Sequence, residues 1–480
     1  MSGPLSPSPL LDAVARFRGT FFDLDGGVEV AGEELARLRG ELAASLVRRG
    51  VERGDRVVLA IGNGPRFVLG LAAALECGAS PVLVHSESPP AELANVGERW
   101  GARWALVDRG AAGAPADHAL APWASLWQVE LPTPRPMLDA YPPLPGVPLH
   151  PTSGTTGVPK MAVRPARAAL AEAEHYVDAM GVRASDRLLC VAPMSHAYAF
   201  GTCAMIPLVS GCSVASMRTF NPKLVDRALE EHAITIFFGV PAMLDLLARR
   251  RTPLARHPDL RVYSAGAPLT PEITERFAQA YGVTPRPLYG TTETGGIALA
   301  GGPVGGAEVG PPMRGVEVGL HAQDGVSSEP GGLGRLWVRS SSMMAGYLTR
   351  EGVDATVLVD GAFDTGDLAS LHPETGGITL HGRQSDVINV FGLKVLPGEV
   401  EAVLRAHPRI AEVIVYAGKH RSGSQIVQAA VVARGEGLDV GELRAHCEAH
   451  LAPYKRPQHF HVLERLPRTA AGKVSRAELP

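Results

Sequence analysis

The chain is predicted to adopt an α/β fold on three observations. Short β-branched runs alternate with amphipathic helical stretches, a glycine- and proline-punctuated section follows, and a compact α/β segment closes the chain. Glu33 to Arg49 has a helical pattern, and Arg56 to Asn63 (RVVLAIGN) is a buried strand ending in a Gly-Asn turn. Phe67 to Cys77 is helical again, and Ser80 to His85 (SPVLVH) is the next strand. The rhythm recurs as helix Lys223 to His232, strand Ile234 to Val240 and helix Ala242 to Arg251, the signature of largely parallel sheets. From about Pro303 to Gly376, short strands such as Arg335 to Ser340 dominate and predict a β-rich subdomain. After Gly382 to Gly392 come helix Pro397 to His407, strands EVIVYAG and IVQAAVVA, and helix Val440 to Leu451. The expected architecture is a large N-terminal domain of mixed α/β sheets over residues 1–384, with the β-rich subdomain at about 303–384. A small mobile α+β C-terminal domain follows over 385–480.

Composition narrows the function. With 480 residues, 45% hydrophobic and 20% charged, the chain can bury a large core. Lys plus Arg is 46 against 49 Asp plus Glu, so no basic surplus marks a nucleic-acid partner. A phosphate-rich small molecule needs only a few local donors. The five cysteines are scattered without CxxC spacing, which argues against a zinc site or disulfide framework and for reduced thiols. The first residues, MSGPLSPSPLLDAV, lack a basic region followed by an apolar core, and no apolar stretch is long and uninterrupted enough to insert in a membrane. A cytoplasmic protein is expected.

The strongest chemical signal is His150 to Lys160 (HPTSGTTGVPK). Thr152, Ser153, Thr155 and Thr156 surround Gly154 and Gly157, and Lys160 closes the stretch. Glycines let the backbone curl so that several N–H groups aim at one anion, hydroxyls add donors and the lysine adds charge: a phosphate cradle. It is not GxxxxGK[ST], because Lys160 follows Pro159 and precedes Met161. In Tyr289 to Gly296 (YGTTETGG), Tyr289 offers a flat face for a purine and Gly290 permits close backbone approach. Thr291 and Thr292 supply hydroxyls, and Glu293 can ligate a hard cation such as Mg²⁺. Asp367, after a Thr-Gly turn, is a carboxylate able to accept two hydrogen bonds from vicinal hydroxyls.

These stretches resemble, in order and over nearly the whole chain, the adenylate-forming superfamily: acyl- and aryl-CoA ligases, peptide-synthetase adenylation domains and firefly luciferase. The likeness is nearest in type to the acyl- and aryl-CoA ligases. The resemblance implies that Thr292 lies near the α-phosphate of ATP, that Glu293 carries Mg²⁺, and that Asp367 and Arg383 hold the ribose. It implies that Ala265, Gly266 and Ala267, in SAGAPLT, form the wall of the adenine slot opposite Tyr289. Ser385 matches the interdomain hinge, where relatives usually carry Asp or Lys, and Gly392 matches a glycine past which the thiol arm of coenzyme A runs. Lys473, in LPRTAAGKVSR, matches the lysine that spans carboxylate and phosphate oxygens while charge builds on the pentacoordinate phosphorus. His196, in APMSHAYAFGT, falls beside the acyl carboxylate. Amino-acid-activating relatives carry an aspartate in this segment; Ala197 and Tyr198 stand here instead, which disfavours an α-amino acid. With Gly290 these residues are the expected acid-side contacts. The implied activity is conversion of a non-amino, aromatic or other small to medium carboxylic acid to acyl-AMP, then to a coenzyme A thioester. Transfer to a carrier-protein thiol or an amine is the alternative, and an inactive nucleotide-binding homologue a second.

Overall fold

The computed structural model describes residues 5–108, 119–120, 123–152, 159–249, 259–267, 269–302, 307–322, 332, 334–383, 388–395, 397–420, 424–435, 437–467 and 478–480. Among them, an eight-stranded sheet runs edge to edge through Gly295–Leu299, Arg286–Thr291, Arg261–Ser264, Ile236–Gly239, Arg187–Cys190, Ser213–Ser216, Thr20–Asp23 and Val28–Ala31. Its interior pairs are parallel and its two edge pairs antiparallel. A nine-stranded sheet centres on the parallel strands Leu149–Thr152, Ser80–Leu83, Arg56–Ala60 and Trp104–Val107. Gly346–Thr349 and Gly352–Asp354, from the glycine-rich section, extend that sheet through Lys160–Val163. The rest of the section forms an antiparallel six-stranded sheet that includes Gly334–Ser340, Ala362–Leu371 and Ile378–Arg383.

The helices lie where apolar periodicity places them. Gly32–Arg48, Pro65–Glu76 and Ala166–Met180 share one core with residues of both large sheets, among them Val57, Leu59, Leu188, Val214 and Ile236. This layer is covered on two sides, so Pro65–Glu76 is almost wholly buried and, Arg66 and the terminal Glu76 apart, apolar. Pro222–Glu231, Pro241–Ala248 and Pro271–Tyr281 cover the outer face of the eight-stranded sheet. Two are capped as their sequences suggest: Asn221 accepts the Lys223 and Leu224 N–H groups, and Thr270 accepts that of Ile273, each ahead of a proline.

Pro397–Arg405 and Val440–His450 pack on the three-stranded sheet Ile410–Lys419, Gln425–Ala433 and His459–Leu463. Val400, Leu404, Val415, Val431, Leu443 and Leu451 form a separate core there, as a small independent body requires. No helix among the described residues is long and apolar enough to cross a membrane.

Candidate active site

The C-terminal ends of the parallel strands open on a cavity of about 990 Å³, the usual place for a ligand in a sheet of this kind. Its lining includes Thr152, His196, Ala197, Tyr198, Ala265, Gly266, Gly290, Thr291, Thr292 and Gly392, all picked out from the sequence. Ser153, Gly154, Thr155, Thr156, Gly157, Ser385 and Lys473 lie outside the described residues. Arg383 is Asp367's partner in the strand register, but its side chain is also outside them. Buried Thr152, at the threshold of the phosphate stretch, has a hydroxyl without a partner among the described residues.

The hairpin Arg286–Thr291/Gly295–Leu299 shifts register between Tyr289 and Gly290. The irregularity turns the tyrosine toward the six-stranded sheet, where its hydroxyl donates to Asp367 Oδ2 at 2.5 Å. Gly290 tolerates no side chain, since a Cβ would meet the Gly295 carbonyl oxygen at 2.4 Å. Thr291 keeps its hydroxyl inside the turn, 3.0 Å from that of Thr294, while half-exposed Thr292 faces the cavity. Glu293 Oε1 accepts from the Tyr347 hydroxyl at 2.9 Å. The Lys160 ammonium sits 4.8 Å from the centre of that same ring, so Tyr347 gathers the lysine and the carboxylate. Tyr347 had no sequence signal beyond one aromatic in a short strand.

His196 is held by a loop that Asn63 pins from the neighbouring sheet. Asn63 Oδ1 accepts the Met194 N–H at 2.7 Å, and its Nδ2 donates to the carbonyls of Ala192 and Met217 at 3.1 and 3.0 Å. The Gly-Asn turn thus carries a positioning residue. The imidazole packs against His85 and edge-on against Tyr454, with ring centres 6.1 and 5.8 Å away. Enclosure among these rings, then the nearness of His85 and Lys455, pushes its pKa down to about 3, so it is neutral near pH 7. Tyr198 donates at 3.3 Å to the carbonyls of Gly239 and Tyr263 and meets the Phe238 ring edge-on.

The small C-terminal body closes one side. Gly392, at φ +87°, lies so close to Gly266 that a Cβ on Gly266 would be 2.7 Å from the Gly392 Cα. Asn389 bridges the two segments, donating to the Gly266 carbonyl and accepting the Gly392 N–H at 2.8 Å. Lys455 donates to Glu92 Oε1 of the large body at 2.5 Å and to Glu399 Oε1 of its own at 2.8 Å. Burial opposes charge on this ammonium, yet its neighbours, the two carboxylates among them, hold its pKa well above the ordinary lysine value. Neither Asn389 nor Lys455 carries a recognisable pattern, because each matters only through a partner distant in sequence.

A cavity at the strand ends, lined by the backbone of Gly266 and Gly290 and by the Thr291–Thr292 turn, is that of a small-ligand-binding α/β enzyme. The chain matches the family model for the AMP-binding enzyme over residues 12–348 and that for the AMP-binding enzyme C-terminal domain over 399–473. It is 30% identical over 421 residues to an indoleacetate–CoA ligase of Aromatoleum aromaticum, covering 86% of this chain and 77% of the relative. A malonyl-CoA ligase solved as a ternary product complex with methylmalonyl-CoA and AMP is 28% identical at a TM-score of 0.78, covering 98% and 100% of the two chains. The amide bond synthetase McbA from Marinactinospora thermotolerans is 26% identical at 0.79, covering 98% of each. The chain belongs to the AMP-binding enzymes, the adenylate-forming superfamily, and is of the acyl- and aryl-CoA ligase type.

Proposed function

We propose that this protein activates a non-amino carboxylic acid with ATP and transfers the acyl group to coenzyme A. The carrying observation is the convergence of Thr292, His196, Tyr198, Gly266 and Gly392 on one cavity; Tyr289, between the lining residues Leu288 and Gly290, is hydrogen-bonded to Asp367. The purine stacks between Tyr289 and the Ala265–Ala267 segment, and Asp367 with Arg383 takes the ribose hydroxyls. Ser153 to Gly157 and Lys160 cradle the β- and γ-phosphates, and Thr292 donates to the α-phosphate. Glu293 would be the protein carboxylate that holds Mg²⁺. That ion would neutralise charge on the pyrophosphate.

A carboxylate oxygen of the acid attacks the α-phosphorus and pyrophosphate leaves, with Lys473 spanning both reactants. Neutral His196 borders the acid carboxylate without adding charge. The small domain, 385–480, then turns about Ser385 and withdraws Lys473. The thiol of coenzyme A, entering past Gly392, displaces AMP from the carbonyl carbon. The closure of Gly392 on Gly266 fits the second step. Reduced, mostly buried cysteines suit a cytoplasmic setting.

Acid-dependent ATP–pyrophosphate exchange tests the first step, and Lys473→Ala should lower it by about a hundredfold or more. Full exchange in that variant would remove the assignment. Likeness to an amide bond synthetase supports a second reading, with an amine as acceptor. Supplying the acyl-AMP with coenzyme A, an amine or a carrier protein, and identifying the product by mass, separates the acceptors.

A further inference from the structure

His150 is 1% exposed and lines the cavity, yet neither of its ring nitrogens has a hydrogen-bond partner among the described residues. A histidine kept for packing pairs at least one nitrogen, because a buried unpaired polar group is destabilising. The ring is held edge-on against Phe200, with centres 4.7 Å apart, so its orientation is set before any ligand arrives. Burial, and then the nearby Arg164 and His196, hold its pKa well below the ordinary histidine value. It therefore presents one N–H donor and one bare nitrogen acceptor.

The surrounding walls narrow the ligand. Gly290 and Gly295 contribute no side chains, and Tyr176, Tyr198 and Leu288 supply flat or apolar surface. Behind Tyr198, the Phe238 and Tyr263 rings are stacked at 5.7 Å. Such a slot suits a planar ring. The nearby charges cancel: Arg164 donates to Glu172 Oε2 at 2.9 Å and to the Ser342 carbonyl at 2.9 Å, and Glu172 also accepts from Tyr176 and from the Gly296 N–H. With Arg164 matched by Glu172, a second carboxylate on the acid would gain no net attraction from this pair.

We propose that His150 is a specificity residue that hydrogen-bonds an uncharged polar substituent, a ring hydroxyl, on a planar aromatic monocarboxylic acid. This rests on the cavity being the acid site of the ligase described above. The hydroxyl can donate to the bare nitrogen or accept from the N–H, so either imidazole tautomer serves.

The test measures kcat/KM by pyrophosphate release for cinnamate and phenylacetate, each plain and with a 2-, 3- or 4-hydroxyl. In the natural protein at least one hydroxylated acid should exceed its plain parent about tenfold or more. His150→Leu should bring that ratio to about one, and His150→Gln, which keeps a donor and an acceptor, should restore much of it. The ratio is taken within each variant, so a general loss of folded protein cancels, and the natural protein and His150→Gln suffice if His150→Leu does not fold. Equal use of hydroxylated and plain acids by the natural protein, or an unchanged ratio in His150→Leu, overturns the inference. Activation of aliphatic acids alone also overturns it while leaving the ligase reading standing. Exchange with no acid at all removes both.

Discussion

His196 borders the cavity as a neutral ring, with consequences for pH. Its pKa in the folded chain is about 3 against an ordinary 6.5. Between those values the unfolded chain binds a proton that the folded chain does not, so stability is fully present above pH 6.5 and is lost as pH falls through the window. His150 acts in the same direction. Urea denaturation should show the natural protein losing more stability between pH 7 and pH 5 than His196→Asn does. Equal losses would mean that the imidazole is not enclosed as described. The pattern around His196 was legible because its segment is contiguous. His150 was not, although it begins the phosphate stretch, since a histidine in an apolar run says nothing of whether its nitrogens are paired.

Among the elements, helix Ala166–Met180 shows how a predictable segment takes on an unpredictable duty. Glu172 is 1% exposed, and it ties Arg164, Tyr176 and the turn at Gly296 together. The two glycines Gly201 and Gly295 leave room for its carboxylate, which a Cβ on either would approach within 3 Å. Arg164→Met would leave that carboxylate buried without its counter-charge, and thermal or urea unfolding should show a loss of about 3–5 kcal/mol. Adding Glu172→Leu should return much of it. If the single substitution proved neutral, the pair would not be organising the hairpin that carries Tyr289 to Thr292. Helical periodicity foretold a buried face here, with Tyr176 one turn from Glu172; the partners at residues 164 and 296 lie outside the helix and have no signature in it.

At the scale of the whole molecule, named contacts among the described residues join the small body to the large one. Lys455 joins Glu92 to Glu399, Tyr454 packs against both His85 and His196, and Asn389 reaches Gly266. Glu92→Gln removes one carboxylate of the pair across the two bodies and leaves Lys455 with Glu399, so the small domain keeps its own partner. Thioester formation should then fall about tenfold relative to acid-dependent pyrophosphate exchange, because one charged hydrogen bond across the boundary is lost. Stopped-flow measurement of the two half-reactions checks this. Equal effects on both would show that the contact does not distinguish the two steps.

The sequence by itself determined the α/β class and the alternation of strands and helices, and it singled out the His150–Lys160 stretch and the segments around Tyr289 and Asp367 as distinctive. Each depends on local periodicity or on residues adjacent in the chain. It also placed His196 and Tyr198 together, since one short loop carries both. Only the tertiary structure decided that Tyr347 gathers Lys160 and Glu293, that Asn63 pins the His196 loop, that Lys455 spans the two bodies and that His150 is buried with unpaired nitrogens. The physical reason is common to all four. A hydrogen bond, an ion pair or its absence is a relation between groups brought together by sheet crossovers and domain closure, and no window of sequence contains both partners.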